Sequence, residues 1–449
     1  MRKIVCEGPA SLKGEFIPQG SKNGALPLIA ASIVFDNIIK ITNVPNIEDI
    51  KTMINILEEL GAKCTYEDNT LLIDSRGING YEISWELASK MRASFDLLGA
   101  LVYRFGKAIV PLPGGCLIGN RKIDMHLWIT EKLGFKVNID SGNVIITDFD
   151  PRKTEEEIKF WIPSVGATKN ATFLGLFISN QTGKKITFQN VAVEPEITFL
   201  WEFLKQNGFN ISYNLEKRIL QTSPSKNLTN TIITVKNIVD RIEAGTFAIA
   251  ACATKGNIKI QDLSEPPYDL KTMLSYLWET LKSIEVEIKF QKEFIEVQVK
   301  NKLKSFEIDT DVYPLFPTDL HPQMTSLATT IEGISIIREN LFDDRFVYTG
   351  ELIRLGANIN VINNKVAMVN GGKPLKGAPV KATDIRGGAA ILIAALTADG
   401  KSTITNVYQI YRGYENITAK LSKLGAYIYE ELFEESKSLN TNLAKVSNV

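Results

Sequence analysis

Hydrophobic and polar residues follow a block pattern that recurs six times along this chain. In each block a helix-like run ends in Leu-Gly-Ala or a relative of it, and a short strand-like run follows directly. The six copies read INILEELGAKCTY, WITEKLGFKVNI, WEFLKQNGFNIS, LWETLKSIEVEI, ELIRLGANINVI and TAKLSKLGAYIY. The small residues that align at the helix ends are Gly61, Gly134, Gly208, Ser283, Gly356 and Gly425. The pattern predicts six repeats of about 70 residues.

The ends of these helical runs have a physical explanation. Glycine just past a helix end adopts the left-handed backbone conformation without steric cost. Upstream, the units carry apolar helical runs such as NGALPLIAASIV, AGTFAIAACAT and GGAAILIAALTA, each followed by a strand. Units of this kind cannot hide their apolar helices alone, so several must share a core. We therefore expect an α/β protein with two domains of three units each, and a functional site in the cleft between them.

Composition and charge narrow the class of protein. The 449 residues are 44% hydrophobic and 23% charged, which is typical of a globular protein. Lys+Arg and Asp+Glu are equal at 51 each, so no net charge attracts nucleic acid or an anionic membrane. The N-terminal MRKIVCEGPASLKGEF lacks the apolar run of a signal peptide, and no later segment has the roughly eighteen apolar residues of a membrane span. We expect a cytoplasmic protein that binds neither nucleic acid nor membrane.

Cysteine and histidine content predicts that no metal or other cofactor is used. The four cysteines lie far apart with no CxxC spacing, which is typical of free thiols in a reducing compartment. The chain has two histidines and no HExxH-like pair. The cysteines are Cys6, Cys64, Cys116 and Cys252, and the histidines are His126 and His321.

Basic residues recur at the starts of predicted helices. GSKNGALPLIAA places Lys22 and Asn23 where a helix begins, and the free N–H groups there favour an anion. The alternative is a simple cap beside a solvated lysine. Other charged residues at turns are Arg92, Arg121, Lys122, Asp124, Asp319, Arg345, Asp384, Arg386 and Arg412. Several guanidinium groups that converge on one cleft suit a small, doubly anionic ligand.

Two residues have the chemistry of an acid and a base, and each has a structural alternative. Cys116 lies between a Pro-Gly-Gly turn and a basic segment in PLPGGCLIGNRKIDMHL, a setting that lowers a thiol pKa. It could equally pack inward, as the apolar neighbours of Cys252 suggest for that residue. Asp319, in FPTDLHPQ, could act as a general base or cap a helix. Local sequence leaves both questions open.

Taken together, these motifs resemble the enolpyruvyl transferase family. The resemblance runs from GPASLKGEFIPQGSKNGALPLIAA to YRGYENITAKLSKLGA and includes VPNIEDI, SVGAT, DRIEAGTFAIAA and ATDIRGGAA in the family's order. It implies an inside-out α/β barrel in each of two domains. The first would comprise residues 1–21 and 239–432, and the second 22–238 with the catalytic cysteine loop at 111–125. Residues 433–449 would form a polar tail.

The resemblance also implies an activity. In the most similar branch of the family, phosphoenolpyruvate gives its enolpyruvyl group to the 3-hydroxyl of UDP-N-acetylglucosamine and phosphate leaves, the first committed step of peptidoglycan synthesis. By resemblance Cys116 is the acid, forms a covalent thioether adduct with the enolpyruvyl unit, and is the thiol that fosfomycin alkylates. Asp319 takes the place of the base. The loop around Cys116 would act as a lid when the domains close over the ligands.

The resemblance assigns the family's substrate-binding positions to individual residues of this chain. The positions for phosphoenolpyruvate are Lys22, Asn23, Arg121 and Arg412, with Arg345 and Arg386 in support. The positions for the nucleotide sugar are Arg92, Arg121, Lys122, Ile123, Asp124, Met125, Ser164, Val165, Gly166, Asp319 and Leu341. Asp384 is a further expected binding residue. We expect a monomer.

The chain departs from the family's pattern at several positions. These are Asn120, Lys122, Val193, Thr198, Gln409 and Tyr411. The departures motivate two alternatives: a paralogous transferase that acts on another uridine nucleotide, and a catalytically idle paralogue that binds a nucleotide sugar. The shikimate-pathway branch fits less well, since it has neither a cysteine in this loop nor the SVGAT segment.

Overall fold

The computed structural model describes residues 2–112, 123–225 and 232–432. Four residues of interest, Cys116, Asn120, Arg121 and Lys122, lie outside this range, as does the expected tail. Within it the α-helices are α1 (Lys22–Ala31), α2 (Glu48–Glu59), α3 (Trp85–Ala88), α4 (Leu97–Phe105), α5 (Asp124–Lys132), α6 (Val165–Thr182), α7 (Pro195–Gln206), α8 (Arg241–Ala253), α9 (Leu270–Met273), α10 (Ser275–Ser283), α11 (His321–Thr330), α12 (Thr349–Arg354), α13 (Ile385–Thr397), α14 (Tyr408–Tyr411) and α15 (Ile417–Lys423).

Strands and short 3-10 helices complete the elements. The strands are β1 (Arg2–Gly8), β2 (Lys13–Phe16), β3 (Ile38–Thr42), β4 (Lys63–Glu67), β5 (Thr70–Asp74), β6 (Ala108–Pro111), β7 (Lys136–Asp140), β8 (Asn143–Thr147), β9 (Glu157–Lys159), β10 (Ile186–Gln189), β11 (Asn210–Asn214), β12 (Ile219–Ser223), β13 (Ile233–Lys236), β14 (Asn257–Gln261), β15 (Glu287–Phe290), β16 (Phe294–Gln298), β17 (Glu307–Asp309), β18 (Gly333–Arg338), β19 (Ile359–Ile362), β20 (Val366–Gly371), β21 (Pro379–Lys381), β22 (Gly400–Thr405) and β23 (Tyr427–Leu432). The 3-10 helices are Ser32–Val34, Ser75–Gly77, Arg92–Asp96, Pro151–Lys153, Thr318–Leu320 and Arg345–Tyr348.

Six small mixed sheets share one strand order. In five of them an edge strand pairs in parallel with its neighbour, and two further strands continue antiparallel, as in β13-β3-β5-β4. The others of this kind are β2-β14-β16-β15, β9-β10-β12-β11, β17-β18-β20-β19 and β21-β22-β1-β23. The sixth, β6-β8-β7, has a parallel bridge from Glu82 to Ile109 where the fourth strand would pair. The repeated order confirms six units.

Left-handed residues lie at the predicted helix ends in five units. Gly61, Gly134, Gly208, Gly356 and Gly425 all have φ between 95° and 106°. The alignment of the remaining copy on Ser283 is wrong. In that unit α10 runs through Ser283, and the left-handed residue is Glu285 with φ 76°. Matching small residues misplaced the helix end by two positions, because here a non-glycine residue takes the strained conformation.

Two hydrophobic cores divide the chain. One contains buried side chains from residues 4–16 and 238–428, and the other from residues 25–233. In the first core α8 is buried over its whole length, and α11 and α13 pack against it. In the second core α1, α4, α6 and α7 are the largely buried helices. These buried helices lie inside and the sheets, each with one exposed face, lie outside, which explains the apolar runs in α1, α8 and α13.

The chain passes twice between the two cores, and the passages touch. The Ser21 N–H donates to the Ile238 carbonyl at 2.7 Å, and the Asp240 N–H donates to the Gln19 carbonyl at 2.9 Å. A Cβ at Gly20 would lie 1.7 Å from the Asn43 carbonyl oxygen, so only glycine fits there. The first helix of the second core therefore begins at the junction. Across residues 2–112, 123–225 and 232–432, no helix is both long and apolar enough to span a membrane.

Candidate active site

Lys22 opens the site at the first residue of α1. Its Nζ lies 2.7 Å from Asp49 Oδ2, and the side chain is buried. Asp49, in the first turn of α2, also accepts from Arg412 Nε at 2.8 Å and from Arg412 Nη2 at 3.5 Å. One carboxylate thus joins a lysine of the second core to an arginine of the first. The interpretation of Lys22 as a solvated lysine is wrong.

Charge interactions in this triad are strong because water is excluded. Burial lowers the pKa of Lys22, and nearby Arg386 and Arg412 lower it further, against the raising effect of Asp49. Burial alone would raise the pKa of Asp49, but Lys22 and Arg412 hold it below its ordinary value. The carboxylate therefore stays ionised, and its charge opposes the effect of burial and of the two guanidinium groups on the pKa of Lys22.

Asp319 occupies the adjoining part of the site. Its Oδ1 accepts from Arg345 Nη2 at 3.1 Å, and its Oδ2 accepts from Arg386 Nη2 at 3.2 Å. Its side chain is 28% exposed, whereas both arginines are buried. Neither the 3-10 helix Thr318–Leu320 nor α11 has a side-chain cap, so the capping interpretation of Asp319 is wrong. The carboxylate is positioned by two cations and remains accessible.

Lys22, Arg345, Arg386 and Arg412 together with Asp49 and Asp319 form what we call the cationic cluster. These four basic and two acidic side chains have a formal charge of plus two, and the buried Asp240 carboxylate acts on Arg386 from outside the cluster. Two buried donors, Arg345 Nε and Arg386 Nη1, have no acceptor among the described residues. Buried donors of this kind are costly unless a ligand pairs with them. The cluster can therefore hold a small dianion next to a carboxylate base.

Of the neighbouring predicted residues, Asp384 supports the cluster directly. Asp384 caps α13, because its Oδ1 accepts the N–H groups of Arg386 and Gly387, each at 3.0 Å. This cap fixes the backbone position of Arg386 at the start of the helix. Asn23 follows Lys22 and is half-buried. Leu341 is 37% exposed and lies in the turn that precedes Arg345.

A second group of predicted residues surrounds the starts of α5 and α6. Ile123, Asp124 and Met125 begin α5, and Ser164, Val165 and Gly166 begin α6. Arg92 opens the 3-10 helix before α4, and its positive charge acts on His126 of α5. All belong to the half of the molecule that contains the second core.

The departures from the family pattern have visible contacts. Gln409 Oε1 accepts from Arg412 Nη1 at 3.0 Å, so a neutral amide supports the arginine there. Burial and the Glu430 carboxylate raise the pKa of Tyr411. Val193 is buried in the second core, and the Thr198 hydroxyl donates to the Pro195 carbonyl at 3.0 Å. Gln409 alone of these four has a described contact with the cationic cluster.

Sequence reasoning missed Asp49. VPNIEDI contained it, but an acidic residue at a helix start is common and gives no sign of burial.

The three cysteines other than Cys116, namely Cys6, Cys64 and Cys252, are free, and burial raises the pKa of each thiol, to about 12 for the first two. The described residues contain no group of three or more metal-ligating side chains.

Comparison with known proteins gives consistent matches over nearly the whole chain. A family model described as EPSP synthase (3-phosphoshikimate 1-carboxyvinyltransferase) matches residues 6–421. A UDP-N-acetylglucosamine 1-carboxyvinyltransferase of Thermotoga petrophila is 39% identical over 95% of this chain and 98% of its own length. A protein of the same name from Wolbachia sp. subsp. Brugia malayi is 41% identical over 93% of this chain and 96% of its own.

Solved structures show the same fold. The enolpyruvyl transferase NikO from Streptomyces tendae superposes with a TM-score of 0.83 at 23% identity, covering 96% of this chain and 98% of that one. An EPSP synthase from Acinetobacter baumannii gives 0.68 at 13% identity, covering 96% and 100%. The family resemblance inferred from the motifs is thus confirmed, and the chain belongs to the EPSP synthase family of enolpyruvyl transferases.

Proposed function

We propose that this transferase moves the enolpyruvyl group of phosphoenolpyruvate to the 3-hydroxyl of UDP-N-acetylglucosamine and releases phosphate, as the first committed step of peptidoglycan synthesis. The observation that carries the proposal is the cationic cluster, which combines an excess of two positive charges with an accessible carboxylate. The choice of acceptor is supported by two relatives named UDP-N-acetylglucosamine 1-carboxyvinyltransferase, which are 39% and 41% identical across nearly the whole chain.

Phosphoenolpyruvate carries a phosphate and a carboxylate, and the cluster offers separate partners for both. Lys22 and Arg412 lie on either side of Asp49, while Arg386 lies close enough to affect the pKa of Lys22. Guanidinium groups bind carboxylate and phosphate through paired hydrogen bonds, and the lysine adds a point charge. Asp49 is then a positioning residue that holds Lys22 and Arg412 at the correct separation.

The chemistry needs one base and one acid. Asp319 takes the proton of the 3-hydroxyl as its oxygen attacks C2 of the enolpyruvyl group, and an acid protonates C3, giving a tetrahedral phospho-ketal. Loss of a proton from C3 then re-forms the double bond as the C2–O bond to phosphate breaks. Cys116, outside the described residues, is the proposed acid, and its loop the proposed lid that keeps water from the intermediate.

The division of the chain follows from the two cores. We propose two inside-out barrel domains, residues 1–21 with 239–432 and residues 22–238, because the chain changes core at the paired crossings. Arg92, the starts of α5 and α6, and Leu341 would line the nucleotide sugar. A monomer in the cytoplasm, without a cofactor, fits this reaction.

Phosphate release tests the proposal. The purified full chain with phosphoenolpyruvate and UDP-N-acetylglucosamine should release one phosphate per enolpyruvyl product, and a panel of other uridine nucleotides should be much poorer acceptors. Turnover with another uridine nucleotide alone would identify the paralogous transferase instead. Binding of UDP-N-acetylglucosamine with no turnover would identify the idle paralogue. Lys22→Ala is the matched control, because it removes a cation of the cluster. Its rate of phosphate release should not exceed the rate measured without enzyme.

A further inference from the structure

Gln19 lies at the first passage between the two cores, three residues before Lys22, and its side chain is buried. Its Nε2 donates to the Gly413 carbonyl at 2.9 Å, and its Oε1 accepts the Glu415 N–H at 2.7 Å. A carbonyl can only accept and a backbone N–H can only donate, so the amide has one orientation. One side chain therefore holds the turn that follows Arg412 at two backbone points.

This turn carries one member of the cationic cluster and supports a second. Arg412 directly precedes Gly413, and its guanidinium pairs with Asp49. Tyr414 lies between the two backbone groups that the amide holds, and its ring is buried. The guanidinium carbon of Arg386 lies 5.4 Å from the centroid of that ring. The position of the turn therefore affects where both guanidinium groups lie.

A carboxylate connects Gln19 to the backbone of Lys22. Asp240 Oδ2 accepts from Gln19 Nε2 at 3.4 Å and from the Lys22 N–H at 3.1 Å. The two hydrogens of Nε2 thus have one acceptor each, the turn and this carboxylate. The resulting path joins the backbone at Lys22 to the backbone beside Arg412. It runs in parallel with the bridge through Asp49, which joins the two side chains.

The backbone groups of Gln19 are paired as well. Its N–H donates to Glu243 Oε2 at 2.6 Å, and its carbonyl accepts the Asp240 N–H at 2.9 Å. Displacing the residue would leave several buried polar groups without partners, each at a cost in free energy. Fully paired networks of this kind hold one geometry. Gln19 is therefore a fixed point against which the turn is placed.

We propose that Gln19 is a positioning residue for anion binding, whose amide fixes the turn that carries Arg412 and so sets the separation of the Arg412 guanidinium from the Lys22 ammonium. This inference rests on the proposed function, because it concerns how the same cluster holds phosphoenolpyruvate. Gln19 acts through Arg412 and not by contact with the ligand. Cations that bind the anion equally in the ground state and the transition state affect KM more than kcat.

Gln19→Met tests the role of the amide, because methionine has a similar length and no strong hydrogen-bonding group. Thr254→Val is the matched control. Thr254 is 5% exposed, as Gln19 is, and its Oγ1 accepts the Leu12 N–H at 3.3 Å and donates to the Ala250 carbonyl at 2.8 Å. It follows the last residue of α8, whereas Asp240 precedes the first, so about 20 Å of helix separates it from the network.

Calorimetry with the full chain and inorganic phosphate measures anion binding without turnover. Phosphate affinity should be about 10-fold weaker in Gln19→Met and within about twofold of the unaltered protein in Thr254→Val. The KM for phosphoenolpyruvate should rise by a similar factor in Gln19→Met, while kcat falls by less than about threefold. Unchanged phosphate affinity in Gln19→Met would overturn the proposal, and so would equal losses in both variants or a loss confined to kcat.

Gln19→Glu provides a second variant of the same shape. An ionised carboxylate cannot donate to the Gly413 carbonyl, whereas a protonated carboxyl group can. The acidic groups around this position are Asp240, Glu243 and Glu415, and the basic groups are Lys22 and Lys420. Relative to the unaltered protein at the same pH, phosphate affinity should be nearly equal at about pH 5 and about 10-fold weaker at about pH 8.

The outcomes separate this inference from the proposed function. A ratio of affinities that stays constant between these two pH values would overturn the role of the amide, and so would an unaltered protein that does not bind phosphate. Failed turnover of the unaltered protein with UDP-N-acetylglucosamine would instead refute the proposed function, since phosphate calorimetry needs no acceptor.

Discussion

Replacing Asp49 by asparagine is the sharpest perturbation of the cationic cluster. Asparagine preserves shape and one acceptor oxygen but removes the charge that Lys22 and Arg412 share. The side chain is 2% exposed, with contacts of 2.7 Å to Lys22 and 2.8 Å to Arg412. The net charge of the cluster then rises from plus two to plus three in a site that water reaches poorly.

The burial of these ion pairs determines how much Asp49→Asn should lower the free energy of unfolding. Breaking a buried ion pair by removing one partner costs about 3–5 kcal/mol, since the other charge stays buried and uncompensated. The amide keeps part of the hydrogen bonding, so we expect a loss of roughly 3 kcal/mol in the free energy of unfolding. Displacement of Lys22 and Arg412 should also lower kcat/KM by about 100-fold.

Calorimetry with and without inorganic phosphate, together with steady-state kinetics, measures both effects. Phosphate should raise the melting temperature of Asp49→Asn more than that of the unaltered protein, because the anion replaces the missing charge. Asp309→Asn is the matched control: this aspartate is 55% exposed and its pairing with Arg338 is at 3.5 Å, so its loss should cost less than about 1 kcal/mol. An Asp49→Asn protein as stable as the control variant, with kcat/KM within twofold, would refute the role given to Asp49.

Three further predictions concern chemistry and pH. Asp319→Asn should slow phosphate release by about 10²- to 10⁴-fold, and a rate within threefold of the unaltered enzyme would rule out the base. Cys116→Ser should strongly reduce turnover and prevent the single adduct that fosfomycin forms in the presence of the sugar nucleotide. Cys252→Ser should lower only the stability of the protein. An adduct that persists in Cys116→Ser would contradict the assignment of Cys116 as the reactive thiol. Burial raises the pKa of Glu243 from 4.5 to about 7 despite its ion pair with Lys420. Because the pKa is raised in the folded state, the contribution of Glu243 to the free energy of unfolding is fully present below about pH 4.5 and is lost as pH rises through 7, by roughly 3 kcal/mol. Urea unfolding at a series of pH values measures this loss. Glu243→Gln should flatten the dependence of the unfolding free energy on pH, and an unchanged dependence would exclude Glu243 as its source.

Most of the architecture could be predicted from the sequence because it repeats. A helix end that needs a left-handed residue leaves a glycine in five units, and the spacing of these glycines is enough to indicate the units. The sixth unit shows where the reasoning fails. Glu285 takes the left-handed conformation at a steric cost, and the composition of its segment carries no sign of it. Sheet order within each unit also required the structure, because periodicity does not state which strands pair.

The site was predictable only in part. Lys22 and Arg386 lie at helix starts that the sequence marks clearly, and the structure places both in the cationic cluster. Glu48 and Asp49 are neighbours in the first turn of α2 and are equivalent in sequence, yet only Asp49 is buried beside two cations. The difference comes from which face of α2 meets the other core, a tertiary property.

The cationic cluster links ligand binding to the arrangement of the two cores. Lys22 belongs to the second core and Arg386 to the first, and the Lys22 N–H donates at 3.1 Å to Asp240 Oδ2, whose other oxygen caps α8 of the first core. An anion that contacts both cations should therefore favour one relative position of the cores, and we expect its differential binding energy to stabilise the closed arrangement proposed above. It follows that Asp49→Asn should lower stability and kcat/KM together, since it alters a link between the cores. The ion pairs of Asp319 with Arg345 and Arg386 lie within the first core, so its substitution should affect the chemical step and leave closure intact.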